Sequence, residues 1–261
     1  LFNYKKSKLK DKLKSNKITI GSWLTIPSFQ IVEIMGTAGF EWLAIDLEHA
    51  PISIESTANL IGHIQANDMQ ALVRVSKNEE VIIKRVLDAG ADGIIIPMIK
   101  NKKEAIEAIN YSKYPPKGKR GVGLNRAQYY GTNFNEYKEW VENNLVVIAQ
   151  IEHVDAVNNI EDIISVDGID GVIIGPYDLS ASIGFPGEYD KLEVKKEIDK
   201  LEKILLSNNF PSGFHVVESN SDFIIKKLNK GYKLLAFSLD FFFLGDKARE
   251  EMKKIKQHIS D

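Results

Sequence analysis

The chain contains no cysteine. That absence excludes disulfide frameworks, thiolate metal sites and cysteine nucleophiles, so any bound metal must be held by Asp, Glu, His or backbone oxygen. A cysteine-free chain also fits a cytoplasmic setting, which is the expectation here. There is no excess of one charge: 34 basic against 36 acidic residues leave a net charge of −2, with no global field to gather nucleic acid. No apolar run approaches the roughly 20 residues that cross a bilayer, and no GxGxxG follows the first apolar run to suggest a dinucleotide fold. The basic stretch Lys5, Lys6, Lys8, Lys10, Lys12, Lys14 is followed by no apolar segment of the kind a signal peptide needs. Leu9 and Leu13 lie four apart within it, so the stretch reads as a short amphipathic helix lying solvated on the surface.

What is present is an alternation. Short β-branched or apolar runs, polar loops and amphipathic stretches repeat from end to end, as parallel strands joined by crossover helices require. Strands are expected near 18–24, 42–46, 70–75, 93–97, 146–151, 171–174, 212–217 and 233–238. The helices between them are expected near 28–38, 54–66, 78–88, 102–111, 134–143, 155–164, 190–208 and 219–229, with a terminal helix from about 240. Eight strands in 261 residues, 44% of them apolar, with no break in composition, predict one α/β domain: a (β/α)8 TIM barrel spanning 1–261. The long non-periodic stretches 112–133 and 175–190 are expected near the barrel mouth, where function is carried.

In such a barrel the chemistry stands at the C-terminal strand ends. The second strand ends in Asp46 and runs into Glu48 and His49, the third carries Arg74, the fifth ends Gln150-Ile151-Glu152, and the sixth runs through Gly175 and Pro176 to Asp178. Glu152 and Asp178 come from neighbouring strand ends and could converge on an oxygen-preferring divalent cation; alternatively each belongs to a helix start, with Asp155 as the N-cap after the fifth strand. A carboxylate beside His49 could fix its tautomer and raise its basicity. Arg74, in a strand, needs an anionic partner, either a protein carboxylate or a substrate carboxylate held as a bidentate pair. His153 and His215 fall on or near strand ends, as site or packing residues; His63 and His258 read as surface.

These motifs together resemble the HpcH/HpaI family of class II, metal-dependent pyruvate aldolases, within the phosphoenolpyruvate/pyruvate barrel superfamily. The resemblance rests on AGFEWLAIDLEHAP at 38–51, LVRVS at 72–76, AGADGIIIPMI at 89–99, YPPKGKRGVG at 114–123, QIE at 150–152 and DGVIIGPYDLSASIG at 170–184. It implies an enzyme that cleaves or forms 4-hydroxy-2-oxo acids from pyruvate and an aldehyde through a pyruvate enolate. His49 would be the catalytic base, Arg74 would bind the enolate, and Asp46 would hold His49. Glu152 and Asp178 would ligate Mg, Mn or Co. Trp23, Gln150, Gly175, Pro176 and Tyr177 would contact the 2-oxo acid. The resemblance also implies a homo-oligomer, hexamer or trimer, built through the terminal helix that opens with Phe241-Phe242-Phe243.

The chain departs from the family pattern at Leu47, at Leu124 to Gln128 and at the end of the seventh strand, Phe214 to Glu218. Arg126, Gln128, His215 and Glu218 are therefore expected to form a polar acceptor pocket. A Schiff-base aldolase would need a barrel lysine; Lys100, the nearest, reads as part of a solvated run with Lys102 and Lys103. The rival function is a CoA-thioester lyase or a phosphoenolpyruvate-using enzyme on the same barrel and metal site.

Overall fold

The β-branched runs close on themselves. In the computed structural model, which describes residues 4–260, β1 (Thr19–Leu24), β2 (Trp42–Asp46), β3 (Gln70–Arg74), β4 (Gly93–Ile96), β5 (Val146–Ile151), β6 (Gly171–Ile174), β7 (Ser212–Val216) and β8 (Leu234–Leu239) pair in sequence order, all parallel, with β8 returning to β1. This is a (β/α)8 TIM barrel. Their strand residues are almost all buried because helices cover the outside and packed side chains fill the inside.

The crossover layer comprises α2 (Phe29–Thr37), α3 (Ile54–Ala66), α4 (Glu80–Asp88), α5 (Lys102–Ser112), α6 (Phe134–Asn144), α7 (Val154–Asn158), α8 (Ile160–Ile164), α10 (Leu192–Ser207) and α11 (Ser221–Asn229). It is preceded by α1 (Lys8–Lys14) and followed by α12 (Asp240–Ser260), and α9 (Pro176–Ser182) stands directly after β6. Side-chain caps start several of these helices: Ser28, Ser53, Asn101 and Asn220 each accept a first-turn N–H. The expected helix over 155–164 is two, α7 and α8, with Asn159 outside helical geometry between them.

Two apolar clusters result. The larger lies between barrel and helices. The smaller fills the barrel itself with Trp23, Trp42, Ala44, Leu72, Ile148 and Ala236, among others. Gly21 makes room for this filling, because a Cβ there would fall 2.0 Å from the Trp42 ring.

Leu9 and Leu13 belong to the inner cluster, at 2% and 1% exposure. This corrects the expectation of a solvated surface helix: α1 plugs the N-terminal end of the barrel. Lys10 is buried with it, its ammonium donating to the Leu145 carbonyl at 2.6 Å and pairing with Asp170 at 2.9 Å. The lysine run looked uniformly exposed because composition does not show which lysine points inward with the leucines.

Candidate active site

At the opposite end, the C-terminal ends of β1, β2, β3, β5, β6 and β7 bring together most of the residues singled out above. Arg74 is the centre of this arrangement. Its Nε donates to Asp46 Oδ1 at 2.9 Å and its Nη2 to Asp46 Oδ2 at 2.7 Å, a two-point pair made possible because Asp46 and Arg74 are register partners on adjacent strands. Nη1 reaches Glu48 at 3.3 Å, and the guanidinium carbon stands 4.3 Å over the Trp23 ring.

Asp46 also accepts the backbone N–H groups of Glu48 and His49, at 3.0 and 3.3 Å. Burial works to raise its pKa, but Arg74 and these two donors prevail and hold it below the ordinary carboxylate range. Asp46 thus meets His49 at its backbone N–H rather than at its imidazole. Its oxygens are engaged by Arg74 and the loop backbone, so it fixes the turn that carries His49. The imidazole, two-thirds exposed at the rim, has Glu48 as its nearest carboxylate, Nε2 to Oε2 at 3.7 Å.

Glu152 is 2% exposed. Its Oε1 accepts the Met98 N–H at 2.8 Å and its Oε2 accepts from the Gln150 amide. Met98 adopts a left-handed backbone, φ +56°, in the loop after β4, an uncommon conformation for a non-glycine residue. Burial, together with the nearby charges of Glu48 and Asp178, pushes the Glu152 carboxyl up to about 7. The Glu48 carboxyl is likewise raised, by burial first and then by Asp46 and Asp178, against the opposing pull of Arg74. Gly175 permits the crowding, since a Cβ there would sit 2.9 Å from Glu152 Oε2 and 3.2 Å from the Gln150 amide nitrogen.

Asp178 is exposed in the first turn of α9, with buried Pro176 and exposed Tyr177 before it. Glu48, Glu152 and Asp178 therefore form a group of mutually repelling carboxylates; Gln150 Oε1 is enclosed without a hydrogen-bond partner, and Glu48 Oε2 makes no hydrogen bond beside its ion pair with Arg74. Both features suit a cation with oxygen ligands. Among the described residues no three His, Cys, Asp or Glu side chains form a closed metal-binding group. Two carboxylates with positions left for a bound acid is the arrangement the residues fit.

His215 faces into the barrel from β7, its ring 5.2 Å from that of Trp23. Burial first, and the Arg74 charge second, push its pKa down to about 3, so the imidazole is neutral. The expected acceptor pocket does not assemble around it. Arg126 donates to the Ala89 carbonyl at 3.0 Å and to Gln65 at 2.9 Å, at the N-terminal end of the barrel. Gln128 is buried against Tyr114 and Asp88 and closes a capping box with Asn125. The segment that carries both follows α5, and a helix returning along the outside of the barrel ends at its N-terminal face. A cavity of about 280 Å³ lies there, lined by Tyr4, Lys5, Gln65, Asp92 and Arg126 among others, remote from the strand-end residues. Glu218 is exposed beyond β7.

His153 is the N-cap of α7, its Nδ1 accepting the Asp155 N–H at 3.1 Å; the cap is not Asp155. The residue underweighted by the sequence reading is Glu48. Its direct adjacency to His49 and its place two residues beyond Asp46 are the available signal.

Barrel, plugged floor and acidic mouth around one buried arginine define the class: residues 19–241 match the model of the HpcH/HpaI aldolase/citrate lyase family, and the chain belongs to that family. Among its relatives, the hydroxypyruvate/pyruvate aldolase of Roseobacter denitrificans is 32% identical over 250 residues, 95% of this chain and 96% of that one. The 4-hydroxy-2-oxo-heptane-1,7-dioate aldolase of Salmonella typhimurium is 41% identical over 196 residues, 74% of each chain. The crystal structure of a family member from Burkholderia cenocepacia superposes with a TM-score of 0.90 at 28% identity, covering 96% of this chain and 99% of that one.

Proposed function

We propose that this protein is a class II aldolase that cleaves or forms 4-hydroxy-2-oxo acids, with pyruvate as the 2-oxo product or donor and an aldehyde as the other. The observation that carries this reading is the Asp46–Arg74 pair set beside the Glu48, Glu152 and Asp178 carboxylates, with His49 at the rim. Glu152 and Asp178 would hold a divalent cation, Mg, Mn or Co, which when bound supplies Lewis-acid polarisation of the 2-oxo group.

The chain's own residues account for the rest. Cleavage requires loss of the 4-hydroxyl proton, rupture of the C3–C4 bond and storage of the electron pair as an enolate. His49 is the accessible base for the hydroxyl proton. Arg74 is locked by Asp46 at two nitrogens, so its remaining donor capacity is already oriented toward the oxygen on which negative charge grows. Gln150 and the backbone from Gly175 to Tyr177 orient the acid, and Trp23 forms the floor beneath Arg74. Once the aldehyde leaves, a proton returned to C3 completes pyruvate.

The terminal helix supports a homo-oligomer, hexamer or trimer: α12 exposes Leu244, Met252, Ile255 and Ile259.

The test is pyruvate release from a panel of 4-hydroxy-2-oxo acids, coupled to lactate dehydrogenase, using chelator-stripped protein with and without added Mg, Mn or Co. Release restored by a cation and not trapped by borohydride is the expected result. Release independent of cation and abolished by borohydride would overturn the class II reading. Absence of release from folded, metal-supplemented protein would shift the reading to a CoA-thioester or phosphoenolpyruvate substrate.

A further inference from the structure

The cavity on the N-terminal face takes no part in the chemistry above, yet the side chains around it are held in order. Arg126 is the most constrained. Its Nη1 donates to the Ala89 carbonyl at 3.0 Å and its Nη2 to Gln65 Oε1 at 2.9 Å, and the guanidinium occupies space that a Cβ on Gly90, 2.5 Å from Nη1, would take. Two of the five N–H donors of the fork are used, on a carbonyl and an amide, and among the described residues no carboxylate forms an ion pair with it. Asp92, the acid on the cavity wall that feels its charge, accepts instead from the Ala71 N–H and the Gln65 amide. A fixed, half-buried guanidinium facing a cavity without an acid is an anchor for an anion.

Much of the remaining wall is aromatic. The Tyr4 ring lies 5.4, 5.7 and 6.3 Å from those of Tyr129, Tyr137 and Trp140, and Tyr137 stacks on Trp140. The Tyr4 hydroxyl donates to the Ala127 carbonyl at 2.8 Å, the Tyr137 hydroxyl to the Leu87 carbonyl at 3.0 Å and the Trp140 Nε1 to the Lys5 carbonyl at 2.8 Å. With these polar atoms engaged by backbone, the rings offer a ligand flat apolar surface.

Size and charge narrow the ligand. At about 280 Å³ the cavity lies just under the roughly 300–1,000 Å³ of sites for drug-sized molecules, which suits one ring system and is too small for a nucleotide or coenzyme. Lys6 and Lys8 stand exposed at the rim, and Lys5 is matched by Asp68 at 3.1 Å, so Arg126 is the one cation fixed at the cavity and calls for one anionic group.

We propose that this cavity is a second ligand site, separate from the strand-end mouth, for a small aromatic monocarboxylate whose carboxylate pairs with Arg126 and whose ring packs among Tyr4, Tyr137 and Trp140. The mouth and the cavity share no residue, so the assignment stands apart from the aldolase reading.

The experiment is titration calorimetry with benzoate, benzamide, acetate and phenyl phosphate. Benzoate is expected to bind at least about tenfold tighter than benzamide, which keeps the ring without the charge, and than acetate, which keeps the charge without the ring, with phenyl phosphate no tighter than benzoate. Arg126→Met should weaken benzoate by about tenfold or more and bring it level with benzamide. Photolabelling of the wild type with 4-azidobenzoate locates the site without any substitution: adducts that unlabelled benzoate protects are expected on cavity residues such as Tyr4, Tyr137 and Trp140. Protected adducts confined to the strand ends, no protected adduct at all, benzamide or phenyl phosphate binding tighter than benzoate, or benzoate affinity unchanged in a folded Arg126→Met overturns the assignment.

Discussion

Asp46 carries four hydrogen bonds on two oxygens, two from Arg74 and two from the backbone that leads to His49. An amide has one acceptor oxygen, so Asp46→Asn leaves Arg74 buried with half its partner and turns an N–H donor toward a guanidinium. Breaking a buried pair of this kind costs about 3–5 kcal/mol, and we expect urea unfolding to show a loss near the lower end because Glu48 remains beside Arg74. Pyruvate release should fall at least about 100-fold, the scale set by losing one preorganised charge-stabilising contact. Gly175→Ala tests the crowding instead. Its φ of −94° strains no alanine, but the new Cβ would fall 2.9 Å from Glu152 Oε2 and 3.1 Å from Glu152 Cβ, so overpacking should cost about 1–3 kcal/mol and the displaced Glu152 should lower kcat/KM by about tenfold or more; unchanged kinetics would show that Glu152 Oε2 need not stand where it does. These residues were legible in the sequence because a barrel confines chemistry to strand ends. What strand ends do not reveal is who pairs with whom. Asp46 meets its neighbour in sequence, His49, at the backbone N–H, and its neighbour in register, Arg74, at both carboxylate oxygens. The sequence marks Glu48 as a carboxylate beside His49, but only the folded loop brings it to Arg74 as well.

At the scale of elements, α1 makes the sharpest test. Leu13 is 1% exposed inside the barrel floor, so Leu13→Ala should cost about 2–5 kcal/mol in urea unfolding, whereas a surface helix would lose a few tenths. Asp92, at the entry to β4, accepts from the Ala71 N–H at 2.8 Å and Gln65 at 3.1 Å, and burial raises its pKa from 3.8 to about 6. The folded state therefore holds this proton more tightly than the unfolded state. The associated stability is full below about pH 4 and is lost as pH rises through about 6, a swing of about 3 kcal/mol at most. Unfolding free energies at pH 4.5 and 6.5 should differ less in Asp92→Asn than in the wild type, by about 1–3 kcal/mol; parallel curves would show that Asp92 does not titrate there. The strands themselves were read to within a residue or so, since runs such as GIII and GVII bounded by glycine have few other ways to fold. The loop between α5 and α6 was misplaced for a topological reason the sequence did contain: a segment after a crossover helix opens on the N-terminal face, so Arg126 could not line the mouth. α9 was missed because its seven residues are too short for periodicity to declare.

For the whole molecule, α12 is the part that one barrel does not explain. Twenty-one residues, about 30 Å of helix, are anchored at one end by Phe243 against Phe40 and Phe237 and by Asp240, the one residue of α12 that is buried. Beyond the anchor, Leu244, Met252, Ile255 and Ile259 recur at helical spacing and stay exposed, while Lys247, Glu250, Glu251 and Lys254 pair among themselves. Exposed ion pairs of that type add little, and isolated helices of this length draw most of their stability from packing. A second copy supplies that packing in the proposed hexamer or trimer. Light scattering at micromolar concentration should give six or three times the 29.4 kDa chain mass, and Leu244→Glu combined with Ile255→Glu should lower it. Each substitution places a carboxylate where an apolar interface would have to bury it, yet neither touches the strand ends. Loss of oligomer with pyruvate release retained would show that each barrel carries a complete site. Joint loss of both would mean that the assembled form holds the mouth in shape, and a wild-type mass of one chain would leave the apolar stripe of α12 without the partner proposed for it.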